Sequence, residues 1–180
     1  MIAIMSDDLF PLFDGGFFRT LARDECLFLT GAPVRSMFLV TEGQVDLLRH
    51  TQSGLRILLY RAEAGDVLAE ASAYSDAYHC DGTAACLAQV QSIPLPTFRA
   101  RLDGRPDWAK AWAARLAHGL QGSRLNAAIR SMRTVEERLE AWLAGGKALP
   151  PKGQWSTLAE TLGITREALY RALSKRDAAG

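Results

Sequence analysis

The sequence has few cysteines and no long apolar run, and both deficits exclude whole classes of protein. Its three cysteines, Cys26, Cys80 and Cys86, are an odd number without close spacing, which argues against a disulfide framework and fits a reducing cytoplasm. No apolar run approaches the roughly 18 residues that a membrane-spanning helix needs. The first residues carry no basic segment and turn acidic at Asp7 and Asp8, unlike a secretory signal. We therefore expect a cytoplasmic protein that makes no membrane contact.

The sequence also lacks the motifs of the common enzyme classes. It contains no nucleophile elbow, no glycine-rich phosphate loop and no histidine pair at metal-ligand spacing. A four-cysteine iron–sulfur cluster would need more thiols than one chain contains. Haem or another metal on His79 or Cys80 is conceivable, but a hydrogen-bonded loop histidine is the better interpretation of His79. We predict no catalytic residue, no metal site and no enzymatic activity, and we leave the identity of any cofactor open.

The formal net charge is only +1, but the charges are not evenly spread. Residues 1–131 hold 13 Lys+Arg against 14 Asp+Glu, whereas residues 132–180 hold 8 against 6. Positive charge therefore gathers near the C-terminus, which suits a nucleic-acid contact there. The cations between residues 164 and 176 are Arg166, Arg171, Lys175 and Arg176, against the single acid Glu167.

Short apolar or alternating runs, separated by glycine-bearing turns, fill much of the first hundred residues. Their even spacing predicts a sandwich or barrel of jelly-roll type. Residues 1–25 are expected to form a helical lead-in, and residues 92–96 to break any ladder, because proline has no N–H to donate. Cys26 and Cys86 fall inside strand-like runs and are predicted to be small buried residues. The predicted strands span residues 26–30, 36–41, 44–49, 55–60 and 83–91.

From residue 107 to residue 132 the apolar spacing becomes helical. An i,i+4 stripe runs along this segment, with small residues among its members, so the helix could cover the β domain and still meet a partner helix. We therefore predict a homodimer through this helix. Because the heptads are not regular, a single helix folded onto its own core is the alternative. The stripe consists of Trp108, Trp112, Leu116 and Leu120.

The next helix has clear signals at both ends. Thr134 is a predicted N-cap, and Glu137 stands three residues later at the capping-box position. Gly145 and Gly146 are expected to end the helix. The sequence thus predicts three parts: a jelly-roll domain over residues 1–106, a dimerisation helix over 107–132 and a C-terminal domain over 133–180.

Residues 156–175 have the pattern of a helix-turn-helix. Residues 157–162 predict a short helix, Gly163 permits a tight turn, and Thr165 caps a second helix. The N-terminal turns of such a second helix enter the major groove, where arginine donates to guanine and glutamate accepts from cytosine. Because Glu167 and Arg171 are at i,i+4, an exposed ion-paired face is the alternative. The predicted DNA-binding residues are Thr165, Arg166, Glu167, Tyr170, Arg171 and Lys175, with Lys175 and Arg176 mainly on phosphates.

From about residue 8 to its end, the chain resembles the CRP/FNR superfamily of bacterial transcription regulators. The segments FLVTEGQV (38–45), AGDVLAE (64–70) and GITREALYR (163–171) resemble the family's strand-turn-strand, its approach to the ligand cassette and its recognition helix. The resemblance implies an α+β fold with a jelly roll of the cyclic-nucleotide-binding type, a long dimerisation helix and a C-terminal winged helix-turn-helix. It implies double-stranded operator DNA, a second copy of the chain, a small-molecule effector and RNA polymerase as partners. By this resemblance Arg166, Glu167 and Arg171 occupy the positions of the family's base-reading residues.

The sequence departs from the family's pattern in two places. The given sequence stops at residues 176–180, where the wing would begin, so we expect the wing to be missing or truncated. In the cassette, Cys80 and Asp81 stand where cyclic-nucleotide binders have an Arg-Ser pair, so a cyclic phosphate would lose its bidentate cation and face a carboxylate. Glu70, the ribose-type contact, is retained. We therefore expect no cAMP or cGMP binding.

A polar, aromatic and thiol-bearing segment, residues 72–81, could hold a different effector. Cys80 is the best candidate for a reactive thiol, but the adjacent Asp81 should raise the pKa of that thiol. An effector-binding adaptor of cupin-like fold that does not bind DNA is the alternative function, and a gel-shift assay would separate the two. The candidate effector pocket comprises Glu70, Ser72, Tyr74, His79, Cys80 and Asp81.

Overall fold

The computed structural model describes residues 6–146 and 148–177, and the chain divides into two compact units. The first unit ends at Leu116 and the second begins at Ala117, inside one long helix. None of the described helices is long and apolar enough to cross a membrane.

The described part of the first unit contains two four-stranded antiparallel sheets. The strands are β1 (Phe17–Leu21), β2 (Cys26–Phe28), β3 (Ser36–Glu42), β4 (Gln44–His50), β5 (Arg56–Glu63), β6 (Val67–Leu68), β7 (Asp81–Ala84) and β8 (Ala88–Pro94). One sheet has the order β1-β8-β3-β6 and the other the order β2-β7-β4-β5. Two sheets of antiparallel strands are the architecture of a jelly roll, as the spacing of the runs predicts.

The helices follow the strands along the chain. They are α1 (Leu95–Gly104), α2 (Pro106–Ser131), α3 (Val135–Ala144), α4 (Trp155–Leu162) and α5 (Arg166–Asp177), and 3-10 turns span Ser6–Phe13, Glu70–Ser72 and Lys152–Gln154. The start of α3 carries the predicted capping box, in which Glu137 N–H donates to Thr134 Oγ1 over 3.1 Å and Thr134 N–H donates to Glu137 Oε2 over 3.0 Å. Gly145 follows its last residue.

Strand β3 shows why the first unit has two apolar cores. Its side chains alternate, so Phe38 and Val40 join the cluster between the sheets, whereas Met37 and Leu39 join a second cluster. The second cluster also contains Trp112 of α2, which packs edge-to-face on Phe98 of α1 at a centroid distance of 5.0 Å. Four consecutive residues of β3 are therefore buried.

Two predictions about strand positions are wrong. Residues 1–25 are not simply a helical lead-in, because β1 (Phe17–Leu21) pairs along its whole length with β8. The ladder also continues through residues 92–94, where Ser92, Ile93 and Pro94 lie opposite Phe38, Met37 and Ser36. Proline is tolerated there because it is the last residue of its strand, and the next N–H, that of Leu95, donates to Arg35 O over 2.9 Å.

The prediction that Cys26 and Cys86 are small buried residues is also wrong. Cys26 is exposed and Cys86 is only partly buried. β2 is an edge strand. Its register shifts between Cys26 and Phe28, and only Phe28 is buried. Cys86 lies in the connection between β7 and β8, which splits the single predicted strand over residues 83–91 into two.

In the second unit, α3, α4 and α5 pack around one apolar core. The core includes Ile129, from the last turns of α2. Both helices that flank Gly163 contribute their apolar faces to this core. The buried members are Ile129, Leu139, Trp142, Leu158, Ala159, Leu162, Leu169, Ala172 and Leu173.

Candidate nucleic-acid interface and effector region

The connection between α4 and α5 is a tight turn centred on Gly163. This residue has a φ of +65°, a left-handed conformation that glycine adopts without steric cost. The N–H of Ile164 closes the turn by donating to Ala159 O over 3.0 Å. Thr165 Oγ1 then accepts from the N–H of Ala168 over 3.2 Å, so Thr165 caps α5 as predicted. The first turns of α5 are thus held at a set angle to α4.

Two arginines from other helices clamp this turn. Arg130, near the end of α2, donates to the carbonyls of Thr161 and Glu160 over 2.9 and 3.2 Å. Arg138 of α3 donates to the carbonyls of Leu162 and Gly163 over 3.3 and 3.0 Å. The last carbonyls of a helix have no partner inside it, and cationic donors at that end also favour the helix dipole. Sequence reasoning missed both arginines, because their carbonyl partners lie 24 to 31 residues away.

The predicted base-reading side chains lie at the beginning of α5. Arg166, Glu167 and Arg171 are exposed, and Tyr170 is half-buried. Hydrogen bonds from its own backbone N–H and from the Thr165 hydroxyl lower the pKa of Glu167, so this carboxylate is ionised at neutral pH. The surface therefore presents two guanidinium groups and one carboxylate within two helical turns.

The two cations farther along α5 are engaged with α3. Lys175 Nζ lies 3.2 Å from Glu136 Oε1, and Arg176 Nη1 lies 3.1 Å from Glu140 Oε1. All four side chains are about half exposed or more, so each pair is weak. The sequence shows the cations but not these partners, which lie 36 to 39 residues away.

The six candidate effector residues make their described contacts in several parts of the first unit. Ser72 Oγ and His79 Nδ1 are 3.0 Å apart. Asp81 accepts from the N–H of Thr30 over 2.7 Å and lies 3.0 Å from His50 Nδ1. Tyr74 lies elsewhere, in a surface groove with Arg99, Leu102 and Asp103. Glu70 and Asp81 both interact electrostatically with Cys80.

Cys80 is buried among the side chains between the two sheets. Burial, followed by the negative charges of Asp81 and Glu70, raises the pKa of its thiol to about 11. The thiol is therefore protonated at neutral pH and a poor nucleophile. The rise in the pKa of Cys80 agrees with the effect expected of Asp81, but burial is the larger cause.

Glu70 lies near a polar cluster that connects the jelly roll to α2. Asp66 lies 3.3 Å from Arg115 of α2 and accepts from the hydroxyl of Tyr60 over 2.9 Å. Burial raises the pKa of Glu70, although the charge of Arg115 opposes that rise. Glu70, which the sequence shares with the family's ligand cassette, is thus close to α2.

Three stacked aromatic rings occupy the space between the sheets. The ring of Phe28 stacks on Tyr78 at a centroid distance of 4.3 Å and on Phe38 at 5.6 Å. Gly82 allows this approach, because a Cβ at that position would lie 2.7 Å from the Phe28 ring. The Tyr78 hydroxyl donates to Ser36 O over 2.8 Å, which fixes one end of the stack. Side chains therefore fill the part of the roll interior around Cys80.

Over residues 6–146 and 148–177, no group of three or more His, Cys, Asp or Glu side chains is placed to hold a metal ion. His79 is exposed and hydrogen-bonded to Ser72. This is the loop arrangement that the sequence favours for it.

Comparison with solved structures shows which fold these units form. The chain is similar to FixK2 from Bradyrhizobium japonicum, with 19% identity, a TM-score of 0.73 and coverage of 92% of this chain and 86% of that one. It is similar to the c-di-GMP-responsive global regulator CLP of Xanthomonas campestris, with 18% identity, a TM-score of 0.68 and coverage of 97% and 93%. A CRP-family transcriptional regulator from Thermus thermophilus gives 20% identity, a TM-score of 0.61 and coverage of 90% and 85%. At these identities the likeness establishes the fold.

The sequence of the first unit also matches a family model. Residues 18–104 match the model of the cyclic nucleotide-binding domain family. The expected cyclic-nucleotide-binding type of domain agrees with this match, and the expected fold agrees with that of the solved regulators. A comparison with curated proteins gave no match.

Proposed function

We propose that this chain is a sequence-specific DNA-binding transcription regulator of the CRP/FNR type. The observation that carries the proposal is the α4–Gly163–α5 arrangement, which has the form of a helix-turn-helix and exposes Arg166, Glu167 and Arg171 on the first turns of α5. In such motifs these turns enter the major groove. The clamped turn favours a regulator over an adaptor without DNA binding, because it holds the reading helix in place.

In this proposal the three residues read bases, and Lys175 contacts phosphate. Replacing Arg171 by alanine should weaken binding to a selected operator by about 1–3 kcal/mol and change binding to random DNA little. Glu167→Ala should relax specificity, because a carboxylate near DNA is unfavourable unless it accepts from a base amine. The measurement is a competition titration on operator and scrambled duplexes at two salt concentrations.

The control for this titration is Arg133→Ala, which removes an exposed cation outside α5. It should alter both duplexes by the same small factor, as a change of net charge does. Equal losses on operator and scrambled DNA for Arg171→Ala and Glu167→Ala would show that α5 does not read bases.

The proposed regulator is a homodimer through α2. Trp112 and Leu116 pack in the first unit, but Leu120 and Leu125 are 53% and 45% exposed on the same helix. Two-fold symmetric operators need two recognition helices about 34 Å apart, which one copy does not provide. Sedimentation at micromolar concentration should give twice the 19.7 kDa chain mass. Leu120→Glu should shift the protein toward monomer and the neighbouring Gln121→Glu should not, whereas a folded wild-type monomer would refute the dimer.

Cyclic nucleotides are not the effector in this proposal. Cys80 and Asp81 replace the expected Arg-Ser pair, and the rings of Phe28 and Tyr78 fill the interior beside Cys80. Calorimetry with millimolar cAMP and cGMP should therefore give no saturable heat. A micromolar Kd for either nucleotide would show that another part of the roll binds it. A different small molecule remains the proposed effector, and RNA polymerase a proposed partner.

A further inference from the structure

Two aromatic rings connect the helices of the proposed DNA-reading unit. Trp155, the first residue of α4, packs against Tyr170 of α5 with a centroid distance of 4.8 Å and an interplanar angle of 62°. The indole N–H of Trp155 donates to Pro150 O over 2.8 Å. One end of this ring pair, the aromatic bridge, is thus fixed by a hydrogen bond to the backbone.

Arg166 rests on the other end of the aromatic bridge. Its guanidinium carbon lies 5.4 Å from the centroid of the Tyr170 ring, and Nη2 donates to the Tyr170 hydroxyl over 3.4 Å. An exposed arginine otherwise samples many rotamers, and its ordering costs free energy when it binds. A cation–π contact with a ring that is itself held in place restricts those rotamers before binding.

We propose that the aromatic bridge positions Arg166 for base recognition, with Trp155 and Tyr170 as positioning residues and a guanine as the target. We choose guanine as the target base because a guanidinium group can donate two parallel hydrogen bonds to its O6 and N7 atoms. The inference rests on the proposed function, since it assumes that α5 enters the major groove. It assigns to two aromatic side chains a role in specificity, beyond the packing of α4 on α5.

Packing alone would not require this arrangement. The core of the second unit already joins α4 to α5 through fully buried leucines such as Leu162 and Leu169. Trp155 and Tyr170 are only partly buried, at the edge of that core, and Arg166 is exposed. A role limited to packing would affect all DNA sequences equally, whereas a positioning role acts on the base pair that Arg166 reads.

The test uses a duplex selected from a random-sequence library on the full-length wild-type protein. Competition binding is then measured with duplexes that carry a substitution at each base pair. Arg166→Ala should lose roughly 5- to 150-fold of discrimination at one G·C pair, the range for a lost bidentate contact. Tyr170→Leu should lose roughly two- to fivefold at that same pair, the size of an exposed cation–π contact.

A double-mutant cycle separates positioning from packing. In the Arg166→Ala background, Tyr170→Leu should cause no further loss at that pair. Tyr170→Phe keeps the ring that contacts the Arg166 guanidinium and should retain most of the discrimination, so the proposal can still be tested if Tyr170→Leu fails to fold. An NMR arm without DNA should show that Tyr170→Leu removes the ring-current shift on the Arg166 side chain.

The outcomes distinguish failure of the proposed function from failure of the proposed positioning role. If the wild type binds no duplex with preference, the proposed function fails, and the inference fails with it. If Arg166→Ala loses discrimination but Tyr170→Leu does not, the inference alone fails. Equal losses for Tyr170→Leu on selected and random duplexes would also overturn it, because the ring would then serve only packing.

Discussion

Replacing Phe28 by alanine should lower the free energy of unfolding by about 3–5 kcal/mol, the usual cost of removing a packed phenylalanine. Phe28 is 7% exposed and stacks on both Phe38 and Tyr78. Phe38 lies in β3, which pairs with both β8 and β6, so the space is expected to collapse only partly. Urea denaturation, followed by circular dichroism, measures the change as a shift in midpoint at unchanged slope.

The matched control is Phe17→Ala, which removes the same side chain from a position that is 73% exposed. It should change stability by no more than about 0.5 kcal/mol. A cost below about 1 kcal/mol for Phe28→Ala would mean that the stack adds little to the core. The idea that it closes this part of the interior to a nucleotide would then lose its support.

Replacing Gly43 by alanine should cost about 2–5 kcal/mol, because strain and steric overlap combine at the turn between β3 and β4. The residue has a φ of +74°, and left-handed backbone costs a residue with a Cβ roughly 1–2 kcal/mol. The added Cβ would also overlap Leu87 O and lie 2.7 Å from Ala88 Cα, and overpacking typically adds about 1–3 kcal/mol. Thermal or urea unfolding measures the loss.

Gly31→Ala separates the two causes. Gly31 has a φ of +80°, but a Cβ there would meet no atom within 4 Å. This variant should therefore show the strain alone, about 1–2 kcal/mol. If the two variants were equally stable, the close approach of Leu87 to Gly43 would contribute nothing measurable.

Features set by neighbours along the chain were predictable from the sequence. The capping box of Thr134 and Glu137, the turn at Gly163 and the cap at Thr165 all form as expected, because each depends on residues within a few positions. The strand-turn-strand around Gly43 and the jelly-roll pattern belong to the same category. Periodicity and turn chemistry suffice for these features.

Features set by distant partners were not predictable. β1 is a strand because β8, some 70 residues later, offers it a ladder, and nothing within residues 17–21 signals that partner. Cys26 is exposed because β2 is an edge strand, which only the sheet order reveals. The clamp by Arg130 and Arg138 and the stack around Phe28 likewise join residues far apart in sequence. A single sequence contains no record of such pairs.

The ion pairs between α5 and α3 change what salt should do to DNA binding. A lysine that meets a phosphate from free solution releases one condensed counterion from the DNA, so its removal is expected to lower the salt slope by roughly one unit. Lys175 and Arg176 instead begin in contact with Glu136 and Glu140. These glutamates are tethered counterions, which must be displaced before a phosphate can take their place. The local concentration of these glutamates does not fall when the salt is diluted. Lower salt should therefore raise the affinity for DNA less through Lys175 and Arg176 than through a cation without a neighbouring carboxylate.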